Sequence, residues 1–189
     1  LDPLDPAAYN DSPVRVVAVS SNLETGEADY REITDYEKDT PYLIATSSMP
    51  LVSQIVEVDG KKLLDGGPCD SVPLDYSLAT GTKKQIVVLT QAAGYKKQPN
   101  KLMALMRTVY GDYPYFCERV EYRHYEYNRL YRRLQREADE GNIFLIRPQK
   151  AVEIDHMERN PEKLLDLYEQ GYEQAMETWN ALQEYLAKP

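Results

Sequence analysis

A carboxylate that works as a base needs a fixed backbone and an accessible oxygen. Asp65, in the run Leu63-Leu64-Asp65-Gly66-Gly67-Pro68, is the residue of this chain that best fits that description. It follows an apolar pair, and Gly66 and Gly67 let the backbone turn tightly beside it. Taken alone, Asp-Gly-Gly is most often a plain turn in which the carboxylate accepts from nearby backbone N–H groups. Ser47 and Ser48 stand at a helix end, where hydroxyls commonly bond to backbone and lack the strained elbow that exposes a nucleophile. Asp70 could orient the Asp65 loop, but with Pro73 close behind it the better reading is a cap for a helix starting at Val72. His124 falls among Tyr122, Tyr125 and Tyr127 on a helical stretch and reads as a packed or exposed helical residue, while His156 sits in an irregular stretch with no role. Two histidines and two cysteines, Cys69 and Cys117, do not compose a zinc site, a multi-histidine metal site or a disulfide framework.

The elements that must position Asp65 can be read from periodicity and punctuation. Residues 1–13, with three prolines, read as a linker or irregular entry. Val14 to Ser20 is apolar and β-branched and predicts a buried strand. Asn22 to Glu27 is a turn around Gly26, and Ala28 to Ile33 predicts the return strand of a hairpin. Thr40 and Pro41 predict a helix start, with the helix running to about Ser48, before Pro50. Asp59-Gly60 joins Gln54–Val58 to Lys61–Leu64 in a second hairpin, so Asp65 follows directly on a strand. Beyond it come a short helix from Leu74 to Ala79, a buried strand from Gln85 to Thr90, a polar loop over residues 91–100, helices from Asn100 to Val109 and Tyr113 to Asp139, a strand from Ile143 to Arg147, and one terminal helix from Pro161 to Leu186 capped by Asn160. The apolar stripe of that last helix is expected to pack on the sheet. Apolar strands alternating with helices predict an α/β domain with a mostly parallel sheet. With only three strands that read as fully buried, the sheet looks incomplete.

Three segments in order carry a resemblance: Val19-Ser20-Ser21-Asn22-Leu23-Glu24-Thr25-Gly26, then Ala45-Thr46-Ser47-Ser48-Met49-Pro50, then Leu63-Leu64-Asp65-Gly66-Gly67-Pro68-Cys69-Asp70-Ser71-Val72-Pro73-Leu74. Over about residues 14–90 the chain resembles the C-terminal half of patatin-like phospholipases, and its Tyr- and Arg-rich tail looks like that of a bacterial subgroup. The resemblance implies a three-layer α/β fold, an aspartate-bearing core over 14–90 and a helical extension over 91–189. It also implies a Ser-Asp dyad for lipid ester hydrolysis, in which Asp65 is the base on an active-site loop with Gly66 and Gly67. No metal and no organic cofactor is implied. The family's nucleophile sits in G-x-S-x-G and its oxyanion hole in a Gly-rich loop, and neither pattern occurs in these 189 residues. Both are expected N-terminal to Leu1, a start without Met that reads as that of a fragment or processed product, so the chain on its own is expected to be inactive. The alternative is a non-catalytic binding or regulatory module that keeps the hydrolase fold.

Composition bounds the partners. Hydrophobic residues are 42% and charged residues 28%, as in folded globular chains. A net charge of -9 argues against a nucleic-acid partner, and the short pairs Lys83-Lys84 and Arg132-Arg133 read as solvated faces. No apolar run approaches the roughly 18 residues of a membrane span, and no leader is visible. Free thiols suit a reducing, cytoplasmic setting. The expected partners are a lipid or acyl-ester substrate with a membrane surface and, if nothing precedes Leu1 and an apolar sheet edge is left uncovered, another copy of the chain. Sixteen tyrosines are unusual. Tyr113, Tyr115, Tyr122, Tyr125, Tyr127 and Tyr131 crowd one helix, either as core-edge packing or, in the sharper reading, as a surface facing lipid.

Overall fold

Two tight turns set the main sheet. Gly26 takes φ +68°, and Asp59-Gly60 take φ +49° and +73°, the paired positive values a two-residue hairpin turn requires. The structure is a computed structural model and describes residues 5–154 and 158–188. Strands β1 (Val16–Asn22) and β2 (Ala28–Ile33) form the first hairpin; β3 (Val56–Val58) and β4 (Lys61–Asp65) form the second. The hairpins join through β1 and β4 into one sheet of order β2-β1-β4-β3, antiparallel at every junction. This overturns the expectation of a mostly parallel sheet. Both hairpins are legible locally, but alternating strands and helices say nothing about which strands become neighbours. Here the two hairpins pair with each other instead of alternating with crossover helices.

Contacts divide the chain into two units, Leu1–Pro73 with Gln98–Glu126, and Leu74–Lys97 with Tyr127–Pro189. The first holds the four-stranded sheet. Helix α1 (Pro6–Asn10), in the stretch expected to be irregular, starts on the Asp5 side chain, which accepts from the N–H groups of Ala7 and Ala8. Helix α2 (Tyr36–Thr46) packs Tyr42 and Ala45 against Ala18, Ile33 and Leu63. The other cluster, around Leu23 and Leu64, is filled by Met106 and Tyr110 from the stretch of α4 (Met103–Val109), and by Phe116, Cys117 and Val120 from the start of α5 (Pro114–Asp139). Leu63 and Leu64 are adjacent in β4 and point to opposite faces, so each belongs to a different cluster.

The second unit has its own two-stranded parallel sheet, β5 (Gln85–Val88) with β6 (Ile143–Ile146). It also holds α3 (Leu74–Ala79), the C-terminal half of α5, α6 (Pro161–Glu177) and α7 (Trp179–Ala187). The Tyr185 hydroxyl accepts from the Gln85 N–H at 3.0 Å and lies 3.1 Å from the Asn142 carbonyl, to which it can donate, linking α7 to both strands. The expected single terminal helix is two. Thr178 breaks it, its hydroxyl bonding back to the Gln174 and Ala175 carbonyls.

Helix α2 also corrects its expected start. It begins at Tyr36, with Asp35 as the cap accepting from Lys38 N–H at 3.2 Å, and Pro41 lies inside it. Asp39, in the first turn, is buried, yet its oxygens accept from Arg31 Nη2 at 2.6 Å and from the N–H groups of Thr34 and Asp35 at 2.9 and 3.1 Å. Burial alone would raise the Asp39 pKa, but Arg31 and the two N–H groups outweigh it and hold the carboxyl below its ordinary 3.8. A folded-state pKa below the unfolded one means the contribution is complete above the ordinary value and is lost as pH falls through the folded one. Asp39→Ala is therefore expected to lower the unfolding free energy by about 2–3 kcal/mol at neutral pH, less than a fully buried pair because Arg31 is partly wet. Urea denaturation checks this, and a loss that did not shrink on acidification below the ordinary carboxylate range would contradict it.

Candidate active site around Asp65

Asp65 is the last residue of β4 and stands opposite Ser20 of β1 across the antiparallel ladder. Its backbone is tied on both sides. The N–H donates to the Ser48 carbonyl at 2.8 Å, just past the end of α2, and the carbonyl accepts from Ser21 Oγ at 2.7 Å. The carboxylate is tied on one side only. Oδ1 accepts from Gly67 N–H at 2.7 Å, while Oδ2 accepts no hydrogen bond among the described residues. One oxygen is thus held, and the other is available to take a proton.

The two glycines serve different ends. A Cβ on Gly66 would lie 2.4 Å from the Val19 carbonyl oxygen, so the loop passes against β1 where no side chain fits. A Cβ on Gly67 would meet Arg123 Nη2 at 2.7 Å and Asp65 Oδ1 at 2.9 Å. Arg123, from α5, thus brings a guanidinium over Gly67 beside the carboxylate, and Nη2 also reaches Ser71 Oγ at 3.4 Å. The Ser71 hydroxyl donates to the Gly67 carbonyl at 2.6 Å, and the N–H groups of Cys69 and Asp70 both turn back to the Gly66 carbonyl at 3.0 and 2.8 Å.

Asp70 does not cap a helix at Val72, since α3 begins at Leu74. It accepts from the Tyr30 hydroxyl at 2.6 Å and from Val72 N–H at 3.2 Å, linking the loop to β2 and closing a local turn. Ser47 and Ser48 bond to α2 carbonyls, and Thr46 Oγ1 donates to the Val19 carbonyl at 2.6 Å, seating the end of α2 on β1. Burial pushes the Cys69 thiol pKa up, and Sγ donates to the Gly26 carbonyl at 3.3 Å, which suits a packed thiol and not a nucleophile. His124 lies with Nδ1 3.0 Å from the Glu121 carbonyl and its ring 3.9 Å from that of Tyr125, away from this loop's contacts. His156 lies outside the described residues. Among the described residues no three His, Cys, Asp or Glu side chains gather to hold a metal ion, and no helix is long and apolar enough to cross a membrane.

Two members of the site were missed by the sequence reading. Arg123 is one of several arginines on a long helix, far from Asp65 in sequence, and nothing local marks it. Ser20 stands in a predicted strand and in the first motif segment, but nothing local gives it a role of its own. It is buried opposite Asp65, and its Oγ has no hydrogen-bond partner among the described residues. Leaving a buried hydroxyl unsatisfied costs about 1–3 kcal/mol, so the end of β1 carries an unmet polar demand next to the carboxylate. The tyrosines of α5 divide. Tyr115, Tyr122 and Tyr125 are exposed, whereas Tyr127 and Tyr131 stack at 4.4 Å with hydroxyls 2.7 Å apart.

The glycine geometry predicts an asymmetry. Gly66→Ala forces a methyl onto backbone that cannot yield without opening the β1–β4 ladder, and is expected to cost about 2–3 kcal/mol. Gly67→Ala meets two side-chain ends, Arg123 Nη2 and Asp65 Oδ1, which can shift where backbone cannot, and is expected to cost less, about 1 kcal/mol. Urea unfolding of the two variants measures this, and equal losses or the reverse ranking would contradict it.

A family model described as a domain of unknown function (DUF6363) matches residues 113–187, from just before α5 to the end of α7. The match covers less than half of the chain and leaves out β1 to β4 and the Asp65 loop. No curated protein matches the chain.

Proposed function

We propose that residues 14–90 carry the base of a serine-dependent acyl hydrolase acting on lipid esters, with Asp65 as that base. The observation that carries this reading is the unequal treatment of the two carboxylate oxygens: Oδ1 is fixed by Gly67 N–H and Oδ2 is open, on a backbone tied to Ser48 and Ser21. A general base needs that combination of fixed position and unused lone pairs. The ordered motifs around Ser20, Ala45–Pro50 and Asp65-Gly66-Gly67 support it independently.

The nucleophile is assigned to a G-x-S-x-G segment N-terminal to this one. A serine hydroxyl is a weak nucleophile at its own pKa and needs a base within hydrogen-bond reach. The serine oxygen attacks the ester carbonyl carbon as its proton passes to Asp65 Oδ2. The proton then goes to the departing alcohol oxygen as the ester C–O bond breaks. Water attacks the resulting acyl-serine, giving one proton to Asp65, which returns it to the serine oxygen as the fatty acid leaves. Arg123 keeps the loop in place through Gly67 and Ser71 and takes no part in proton transfer. The exposed Tyr115, Tyr122 and Tyr125 support a flank able to lie against a lipid surface.

Hydrolysis of short-chain p-nitrophenyl esters tests the reading. The protein joined to its G-x-S-x-G segment is expected to turn over, and Asp65→Asn in it is expected to lower kcat/KM by about 10³-fold. The 189-residue chain by itself is expected to give none. Turnover by this chain alone, or undiminished turnover by the Asp65→Asn protein, would contradict the assignment.

A further inference from the structure

Helix α6 is turned inside out. Leu165, Tyr168, Tyr172 and Met176 fall at intervals of three and four residues, which places them on one face of α6, and Trp179 opens α7 three residues further on. Each is more than half exposed, and α6 has no buried residue. Its other side, with Gln170, Gly171 and Gln174 beside Leu167, lines a cavity of about 440 Å³ against Leu89 and Ile146 at the ends of β5 and β6. The helix therefore presents mainly polar side chains, Gln170 and Gln174 with Glu173 and Glu177, to its own sheet and a row of large apolar side chains to the outside. That reverses what an amphipathic helix does on a finished surface. A contiguous apolar row of this size marks an interaction surface.

Charge selects the occupant. Along one flank of the apolar row runs a second row, Glu162, Asp166, Glu169, Glu173 and Glu177, at the same helical spacing; Glu173 and Glu177 also border the cavity, and Glu177 accepts from Gln149 Nε2 at 2.7 Å. Lys163, the one cation of α6, is engaged by Glu158 at 3.1 Å. Such a rim is repelled by anionic lipid headgroups and by nucleic acid, and an α6-to-α6 pairing would set acidic rows against each other. The surface that fits presents cations with aromatic-compatible planes at helical spacing. The same unit holds one on α5. Arg129, Arg132, Arg133 and Arg136 line a shallow concavity, and Arg129 and Arg132 have no hydrogen-bond or ion-pair partner among the described residues. Arginine pairs with carboxylates and also stacks on tyrosine and tryptophan, so this row answers both rows of α6.

We propose that the chain forms a two-fold dimer in which α6 of each copy lies along the arginine row of the other copy's α5. A reciprocal contact of this kind is self-complementary and closes at two. Five large side chains, each more than half exposed, offer roughly 500 Å² of apolar surface per copy, and two reciprocal contacts reach the roughly 1,000 Å² a specific interface needs.

Sedimentation equilibrium of the 189-residue chain at micromolar concentration tests the proposal. The parent is expected to be a dimer that weakens with salt. Tyr168→Asp with Tyr172→Asp is expected to give a monomer with an unchanged circular dichroism spectrum, since both positions are exposed. Arg129→Glu with Arg132→Glu is expected to weaken the dimer by about tenfold or more, and adding Glu169→Arg with Glu173→Arg is expected to restore it. A monomeric parent, a dimer indifferent to all of these changes, or a charge reversal that is not rescued overturns the proposal. So does co-sedimentation with phosphatidylglycerol vesicles that Tyr168→Asp abolishes, since that would give the row to a membrane.

Discussion

The backbone hydrogen bond from Asp65 to the Ser48 carbonyl is the joint on which the first unit depends. It ties the stretch just past α2 to the end of β4, next to the Thr46 hydroxyl that donates to the Val19 carbonyl. Beside this joint lie the register that places Ser20 opposite Asp65 and the passage of Gly66 against the Val19 carbonyl, where no Cβ fits. A one-residue slip of β4 would move Leu63 and Leu64 to each other's faces and empty both hydrophobic clusters at once. Burial of those two leucines therefore fixes the position of the carboxylate beside them, linking core packing directly to the geometry of the site.

The polar groups near the joint are used unevenly. Around Asp39 a buried carboxylate is met by a guanidinium and two backbone N–H groups, and it stabilises the start of α2. Around Asp65 one carboxylate oxygen is left open and the neighbouring Ser20 hydroxyl has no partner among the described residues. Buried polar groups in folded proteins are normally satisfied, and the exceptions concentrate where something else must bind or react. Two aspartates in one unit, each close to an arginine, thus have different roles because one is saturated and the other is not.

The parts of this fold that local chemistry dictates could be read from sequence. Gly26 and Asp59-Gly60 demand positive φ, so both hairpins were legible, and β2 and α3 run as their residues predict. Asp65-Gly66-Gly67 was legible as a loop after a strand for the same reason. What depends on distant partners was not. The pairing of β1 with β4 joins residues as far apart as Ser20 and Asp65, and an apolar run carries no mark of parallel or antiparallel neighbours. Thr40-Pro41 looked like a helix start because proline suits a first turn, but Asp35 caps earlier and Asp39, bound by Arg31, holds the first turn in place. Arg123 became part of the site only through the course of α5. The apolar stripe of α6 was plain in the sequence, yet its direction, away from β5 and β6, was not, because periodicity defines a face and not what that face meets.

Amide hydrogen exchange at Asp65 tests most directly whether the carboxylate sits on the frame of the fold and not on a loose turn. If the bond to Ser48 is the joint described above, the Asp65 amide exchanges as slowly as the amides inside β4, and only through opening of the whole first unit. Exchange as fast as that of the exposed loop around Gly94 would contradict the account, because Asp65 would then have no fixed position from which to act as a base.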